Sequence, residues 1–401
     1  MGYAPVRLRF RCCDKYDLPA LAGEISYYDV GERRLARAGA TLSRRIDNGK
    51  GVWRLELSPS NGSQAEVEQP GGPAAPPSRV VRVLPAIFRG IEPEVVLRVG
   101  REDSANGASA LSLIAPGLPS AKDAIGRLRA MLERQYDEIL RHDVGIRLDQ
   151  DAEHVHQLRV AARRARAVLR AARPVLDKQW SEPLRAELKW LGGALGPRRD
   201  LDVLIAHLRE EVGQLEQPER KAARMLLDVL GVERDAAQAV ALEALSTERY
   251  FALLDSLEDA ARGPKVQRGE VALRKLAARE FGRLRKAADE LTPDSTDDEL
   301  HRARILGKRA RYAAELASPE LGKDSRRVVA RAKALQDVLG MHQDAIVAEA
   351  RLRGLLSFSG PGAAFAAGRL VERERQRRRE ARKILPKAWR ELARSARAAF
   401  G

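Results

Sequence analysis

Apolar and polar residues alternate in the first part of the chain and follow a helical spacing in the rest. Residues 6–11 and 52–57 alternate, and residues 79–84 and 95–99 are β-branched runs between turns rich in Gly and Pro. Such short runs predict β-strands. From about residue 118 the chain is rich in Ala, Leu, Arg and Glu at helical spacing, which predicts helices to the C-terminus. The predicted fold class is therefore mainly α, preceded by a small β-rich part.

A segment rich in Ser, Gly, Ala and Pro lies where the composition changes. Segments of this composition connect domains more often than they fold as part of one. We therefore predict a β-rich domain at residues 1–104, a linker at 105–117 and a helical domain at 118–400.

Two blocks of the helical domain recur at an offset of about 145 residues. Residues 156–166, HQLRVAARRAR, match residues 301–311, HRARILGKRAR, at every basic position of the first block. Residues 189–200, KWLGGALGPRRD, match residues 333–344, KALQDVLGMHQD, in the same order. A duplicated helical unit predicts two four-helix bundles related by a pseudo-two-fold axis. The repeats are predicted at 118–262 and 263–400.

The basic residues of each His-led block form one row along a helix. At about 100° per residue, the first row falls within about 80° of one helix face. Its members are His156, Arg159, Arg163, Arg166 and Arg170. The second row consists of His301, Arg304, Lys308 and Arg311, followed by Glu315, which we expect to blunt that end. Repulsion among crowded cations is unfavourable unless an anion relieves it. We therefore expect the two rows, one from each repeat, to converge on a shared site for a multivalent anion.

The alternative for a single arginine-rich helix is a solvated surface or a contact with an acidic helix. Recurrence of the same spacing in both repeats favours ligand binding. Arg164 and Arg309 lie about 100° off the rows, so surface, bundle-bridging and ligand-binding roles stay open for both. Lys189 and Lys333 precede a Leu-Gly pair by equal distances. Whether these two lysines contact the ligand stays open.

Carboxylates and histidines near the rows have simpler interpretations. Asp200 and Asp344 precede apolar-periodic stretches, so we predict that they are helix N-caps, with orientation of an arginine as the alternative. His154 and His156 are two residues apart and face different sides of a helix, which makes a joint metal site unfavourable. We expect no metal and no cofactor.

The charge balance indicates the class of partner. Lys and Arg outnumber Asp and Glu by 72 to 56, and aromatic residues are 4% of the chain. The excess predicts attraction to polyanions, and the scarcity of aromatics disfavours single-stranded nucleic acid. Nucleic acid bound through phosphate contacts stays an alternative. No apolar run is long enough for a signal peptide or a membrane span, and the adjacent Cys12 and Cys13 suit no disulfide framework. We therefore expect a cytoplasmic protein with no membrane partner.

Both pairs of blocks and the two aspartates resemble the CHAD family, the conserved histidine α-helical domain, over about residues 118–400. The resemblance implies two four-helix bundles with a basic cleft that binds inorganic polyphosphate without catalysis, often on polyphosphate granules. It assigns binding to His156, Arg159, Arg163, Arg164, Arg166, Lys189, His301, Arg304, Lys308, Arg309, Arg311 and Lys333. The spacing of the first row adds Arg170 to this set.

The N-terminal part resembles a shortened CYTH domain, the triphosphate-tunnel fold, in residues 27–42 and 53–57. That family opens with alternating glutamates and a lysine, whereas Arg7, Arg9 and Arg11 stand here. Without paired carboxylates Mg²⁺ has no evident site. We therefore expect an inactive remnant and no enzyme, with residual triphosphatase activity as the alternative.

Overall fold

The chain folds into two compact units. A computed structural model describes residues 9–11, 25–47, 50–57, 64–72, 75–99, 124–149, 151–266, 273–356 and 360–400. The first unit comprises residues 1–162 and 241–264, and the second comprises residues 163–240 and 265–401. The predicted linker at 105–117 lies outside the described residues, so the domain boundaries at 104 and 118 stay predictions.

The N-terminal part of the chain forms an antiparallel sheet of six strands: β1 (Arg9–Arg11), β2 (Ile25–Asp29), β3 (Ala40–Asp47), β4 (Lys50–Leu57), β5 (Gln64–Pro70) and β6 (Glu94–Val99). The order of the strands in the sheet is β1-β5-β4-β3-β2-β6. Three short helices accompany it: α1 (Arg34–Arg37), α2 (Ser78–Val81) and α3 (Pro85–Phe88). The strands predicted at 52–57 and 95–99 are confirmed, and the alternation in β4 buries Trp53 and Leu55 completely. Of the strand predicted at 6–11, residues 6–8 lie outside the described residues.

The strand predicted at residues 79–84 is wrong, because this run forms α2 and the turn after it. Its buried side chains are Val80, Val83 and Leu84. They are spaced three and four apart, as on one side of a helix, whereas a strand buries every second residue. The carbonyl of Pro77 accepts hydrogen bonds from the N–H groups of Val80 at 2.9 Å and Val81 at 3.1 Å, which starts the helix. The helical spacing of the apolar residues therefore outweighs their β-branched character.

Long helices make up the rest of the chain. They are α4 (Ala124–Arg147), α5 (Ala152–Ala171), α6 (Lys178–Ala194), α7 (Gly196–Gly213), α8 (Gln217–Ala244), α9 (Glu248–Arg262), α10 (Leu273–Asp289), α11 (Asp297–Leu316), the short α12 (Ser318–Leu321), α13 (Lys323–Leu356) and α14 (Pro361–Phe400). The prediction of a mainly α chain with a small β-rich part in front is confirmed. Among the described helices, none has the length and apolar character that crossing a membrane requires.

Arginines from the sheet region of the first unit bind carboxylates on its helices. Glu258 on α9 lies 2.8 Å from Arg34 and 2.8 Å from Arg89, and the side chains of all three are less than a tenth exposed. Burial raises the pKa of Glu258, but the hydrogen bond and charge of Arg34 and the charge of Arg89 outweigh it, and the pKa is lowered. Arg37 lies 2.7 Å from Glu133 on α4. The sheet region is thus fixed to α4 and α9 by buried ion pairs.

The second unit contains the four-helix bundle of the second repeat, formed by α10, α11, α13 and α14. A capping box starts α11: the Thr296 hydroxyl accepts a hydrogen bond from the Glu299 N–H, and the Glu299 carboxylate accepts one from the Thr296 N–H. A second core in this unit joins α7, α8, α13 and α14. The helices of the first repeat divide between both units, and the pseudo-two-fold relation of the repeats stays a prediction.

Candidate anion-binding site

The first basic row lies on α5, as the sequence predicts. The apolar side chains of this helix are buried at Leu158, Ala162, Ala165 and Leu169. Helix α5 begins in the first unit, which holds His156 and Arg159, and continues in the second, which holds Arg163, Arg166 and Arg170. All five basic side chains are half-buried. They lie at the margin of the core, where their long stems pack while their charged ends keep access to solvent.

The second row lies on α11, which is continuous over its whole length. Arg304, Lys308 and Arg311 are half-buried, and His301 near the start of the helix is exposed. The Nδ1 atom of His301 lies 2.9 Å from Oε1 of Gln343 on α13. This contact fixes the orientation of the imidazole ring, so that its other nitrogen stays available to a ligand.

Tyr312 brings the two rows together within the second unit. The Nε–H of Arg163 on α5 donates a hydrogen bond to the Tyr312 hydroxyl at 2.7 Å. The guanidinium carbon of Arg163 lies 6.0 Å from the centre of the Tyr312 ring, and that of Arg311 lies 5.0 Å from it. A guanidinium above an aromatic ring gains a cation–π attraction, which offsets part of the repulsion between the arginines. The prediction that the two rows converge is confirmed for these residues.

Nine cations of the second unit act on one another and are here called the basic cluster. They are Arg163, Arg166, Arg170, Arg185, Arg283, Arg304, Lys308, Arg309 and Arg311. Burial lowers the pKa of Arg166, and the charges of Arg185 and Arg163 lower it further. Burial likewise lowers the pKa of Arg170, with Arg309 acting in the same direction. Both shifts mean that the charged forms are disfavoured where they stand.

Lys308 has the most strongly shifted pKa in the basic cluster. Burial is the largest cause, and the charges of Arg304, Arg163 and Arg311 add to it, while Asp344 opposes them. Together they lower the pKa of Lys308 to about 8. An anion placed beside this ammonium would favour its charged form and raise the pKa again.

Six members of the basic cluster lack a carboxylate within salt-bridge distance, counting the residues that the structure describes. They are Arg163, Arg166, Arg170, Arg304, Lys308 and Arg309. The arginines of α14 in the same unit behave differently. Arg375 lies 3.0 Å from Glu349, and Arg379 lies 2.8 Å from Glu372. The fold therefore gives these two arginines of α14 their own carboxylates, whereas six cations of the cluster have none within salt-bridge distance among the described residues.

Asp344 is a carboxylate that acts on the basic cluster from α13. Burial raises its pKa, and the charges of Arg304, Arg377 and Lys308 oppose the rise. Although part of the side chain is exposed, the protein atoms around the rest of it exclude water. No arginine lies within salt-bridge distance of Asp344 in the part of the chain that the structure describes, so its alternative role, orienting an arginine of the row, stays a prediction.

The prediction that Asp200 and Asp344 are N-caps is wrong. Asp344 lies in the interior of α13, and Asp200 is the fifth residue of α7, whose N-cap position is held by Leu195. The prediction assumed that each Leu-Gly pair ends a helix. Gly340 instead lies inside a continuous helix, where a glycine costs about 1 kcal/mol relative to alanine but does not break the helix.

The end of the second row is blunted, as the sequence predicts. Glu315 lies 3.3 Å from Nε of Arg311, one turn further along α11. At the equivalent end of the first row, burial and the charges of Arg309 and Arg185 lower the pKa of Arg170, whereas the charge of Glu280 raises it. Negative charge thus borders the basic cluster at both of these ends.

The remaining predicted residues differ in their surroundings. Arg309 belongs to the basic cluster, whereas Arg164, Lys189 and Lys333 are exposed. The structure brings none of these last three into the cluster, as far as the described residues go.

Three residues of the site are absent from the sequence prediction. Arg185 on α6 acts on Arg166 and Arg170, Arg283 on α10 acts on Arg170, and Tyr312 joins the rows. Arg185 stands four residues before Lys189, on the same face of one helix, and this spacing was the available signal. Tyr312 follows Arg311 directly, and nothing in the sequence marks its position between two guanidinium groups.

Comparison with known proteins identifies the family. The CHAD domain family matches residues 130–353. Two uncharacterized proteins from Mycobacterium tuberculosis strains are 30% identical over 285 residues, which are 68% of this chain and 54% of those proteins, so the chain spans about half of their length. The structure is similar to PptA from Streptomyces chartreusis (TM-score 0.55, 29% identity, 68% of this chain and 99% of that one). It is also similar to the CHAD domain from the plant Ricinus communis (TM-score 0.54, 25% identity, 68% and 93%). The chain therefore belongs to the CHAD domain family.

Proposed function

We propose that this chain binds inorganic polyphosphate, or a closely similar polyanion, through the basic cluster and without catalysis. The observation that carries the proposal is the group of six cations without carboxylate partners among the described residues. The other predicted contacts, His156, Arg159, Arg164, Lys189, His301 and Lys333, stay part of the proposal. A location on polyphosphate granules belongs to it as well.

A multivalent anion suits the cluster better than a single phosphate. Successive row residues rise about 4.5 to 6 Å along a helix axis, so a phosphate chain can meet a cation every one or two units. Arginine offers planar, bidentate donors to phosphate oxygens, and lysine offers a point charge. One phosphate would relieve only its nearest neighbours, whereas a chain relieves the mutual repulsion of the whole group.

The proposal gives the sheet no catalytic role and treats it as a CYTH-like remnant. On β4, Arg54 lies 2.8 Å from Glu68 of β5 and 3.3 Å from Glu56. Arg45 of β3 lies 3.4 Å from the same Glu68. In these ion pairs the two arginines and the two glutamates neutralise one another, which supports a structural role for them.

The test is a calorimetric titration with polyphosphates of graded length, with phosphate release followed in the same samples in the presence of Mg²⁺ or Mn²⁺. We expect saturable binding that tightens with chain length until the cluster is filled, and no phosphate release. Absence of binding at every length would remove the proposed function. Phosphate release from tripolyphosphate would replace it with a triphosphatase.

Polyphosphate binding is also expected to weaken as the pH rises from 7 to 9.5. Lys308 has a pKa of about 8 before the ligand binds, and a bound anion raises this pKa, so binding takes up a proton above about pH 8. Substitution Lys308→Arg keeps the charge at every pH in this range, and this variant should lose most of the pH dependence. Titrations of both proteins at pH 7 and 9.5 check this. Equal pH dependence in the two proteins would exclude Lys308 as its source.

A further inference from the structure

Asp344 lies between two faces of α13 that pack against other helices. On one face, Gln336 donates a hydrogen bond to the carbonyl of Gly307 at 2.9 Å and so meets α11. On the other face, Ala348 and Leu352 are buried in the core that joins α13 to α7, α8 and α14. At about 100° per residue these faces lie roughly 140° apart, and Asp344 falls between them. Its carboxylate therefore has α11 on one side and the core with α7 on the other.

Four basic side chains of the second unit act on this carboxylate from three different helices. They are Arg304 and Lys308 on α11, Arg377 on α14 and His207 on α7. Burial raises the pKa of Asp344, and the charges of these four side chains oppose the rise. All five residues are described, and none of the four comes within salt-bridge distance of Asp344. The carboxylate therefore balances several cations at a distance and holds none of them in place.

Two carboxylates at the borders of the basic cluster differ from Asp344, because each is tied to an arginine on its own helix. Glu315 lies 3.3 Å from Arg311, and Glu280 contacts Arg283. Asp344 instead keeps access to solvent. A polyanion that binds to the cations around Asp344 therefore meets a like charge that no salt bridge among the described residues neutralises.

We propose that Asp344 is a built-in counter-charge of the polyphosphate site, which offsets part of the positive charge of the empty site and opposes entry of the polymer. The inference rests on the proposed function. In the empty site the carboxylate is attracted to the ammonium of Lys308 and the guanidinium of Arg304. A bound phosphate chain neutralises these cations with its own oxygens, so that Asp344 is left as a negative charge beside a row of negative charges. The carboxylate thus weakens the binding that the surrounding cations favour.

Substitution Asp344→Asn removes the charge and keeps the size of the side chain. We expect it to raise the affinity for long-chain polyphosphate by about 5- to 20-fold at pH 6.5, because like charges near a protein surface repel one another over several ångströms. The matched control Asp228→Asn makes the same change in net charge at an exposed position of α8, outside the basic cluster. It should change the affinity by less than about twofold, since salt screens exposed charges that make no contact with the polymer. Calorimetric titration of both variants and the unaltered chain measures these effects.

The gain in affinity is expected to shrink as the pH falls from 6.5 to 4.5, because a protonated aspartic acid is as neutral as asparagine. Burial already raises the pKa of Asp344, and a bound polyanion raises this pKa further. Binding to the unaltered chain therefore takes up a proton in this range and tightens as the pH falls. Arg304, Lys308 and Arg377 stay charged over the same range, and any change at His207 is common to both proteins.

A gain at pH 6.5 that exceeds the gain in the control and fades towards pH 4.5 supports the inference. Weaker binding of the Asp344→Asn variant would make Asp344 a positioning residue for the arginines and overturn it. Equal affinities of this variant and the unaltered chain, an equal gain in the control, or a gain that is independent of pH would overturn it as well. Absence of binding in the unaltered chain would instead overturn the proposed function.

Discussion

Reversal of charge at Arg163 and Lys308 together is expected to lower the affinity for polyphosphate by about 10²- to 10⁴-fold. Each charge-assisted contact is worth about 1.5 to 3 kcal/mol, and each 1.4 kcal/mol is about tenfold in affinity. The two residues come from different rows, and the charge of Arg163 acts on Lys308. The variant Arg163→Glu with Lys308→Glu, titrated with long-chain polyphosphate, measures the effect.

The matched control is Lys383→Glu with Lys387→Glu. Both lysines are exposed on α14 in the same unit and lie outside the basic cluster, and the change in net charge is the same. We expect less than about a threefold loss of affinity, since salt screens exposed charges that make no direct contact with the polymer. Helical circular dichroism should be unchanged in both variants. Equal losses in the two variants would mean that net charge, and not the cluster, binds the polymer.

Substitution Glu258→Ala is expected to destabilise the first unit by about 3 kcal/mol, because it removes the buried carboxylate that two buried arginines share. Among the described residues, the arginines then keep only the exposed Asp255, 2.6 Å from Arg89 and 3.8 Å from Arg34, as a counter-charge. Arg34 and Arg89 both lie 2.8 Å from this carboxylate, and their side chains are only 8% and 3% exposed. Denaturant unfolding followed by circular dichroism measures the loss as a shift in the midpoint of the transition in which the first unit unfolds.

Asp259 next in the chain provides the control for this substitution. Its side chain is 71% exposed and lies 3.2 Å from Arg262, so Asp259→Ala should cost less than about 1 kcal/mol. If Glu258→Ala cost no more than Asp259→Ala, the buried ion pairs would not be what fixes the sheet region to α9.

The basic rows could be predicted from the sequence because they depend on one local rule. A helix places residues three and four apart on the same face, and both rows follow this spacing on helices that the structure contains. The duplicated blocks also identified Lys308 and Arg309 as equivalents of Arg163 and Arg164. Local periodicity therefore determined most of the site before any contact between helices was known.

Features that depend on contacts between helices were not predictable in this way. Tyr312 contacts Arg163, 149 residues earlier in the chain, and no periodicity marks such a pair. Asp344 precedes an apolar-periodic stretch, as an N-cap residue does, but α13 continues through it without a break. The strand predicted at residues 79–84 was wrong for a different reason. The β-branched composition of this run favours a strand, whereas its buried residues are spaced as on one face of a helix.

Competition between polyanions tests the central claim most directly. The protein is loaded with fluorescently labelled long-chain polyphosphate, and unlabelled polyphosphate or duplex DNA is added at equal phosphate concentration and fixed salt. We expect unlabelled polyphosphate to displace the label and DNA to leave it bound, since a flexible chain can follow the crowded cations of α5 and α11 more closely than a stiff duplex can. Equal displacement by DNA would contradict the account and make this a general nucleic-acid-binding protein.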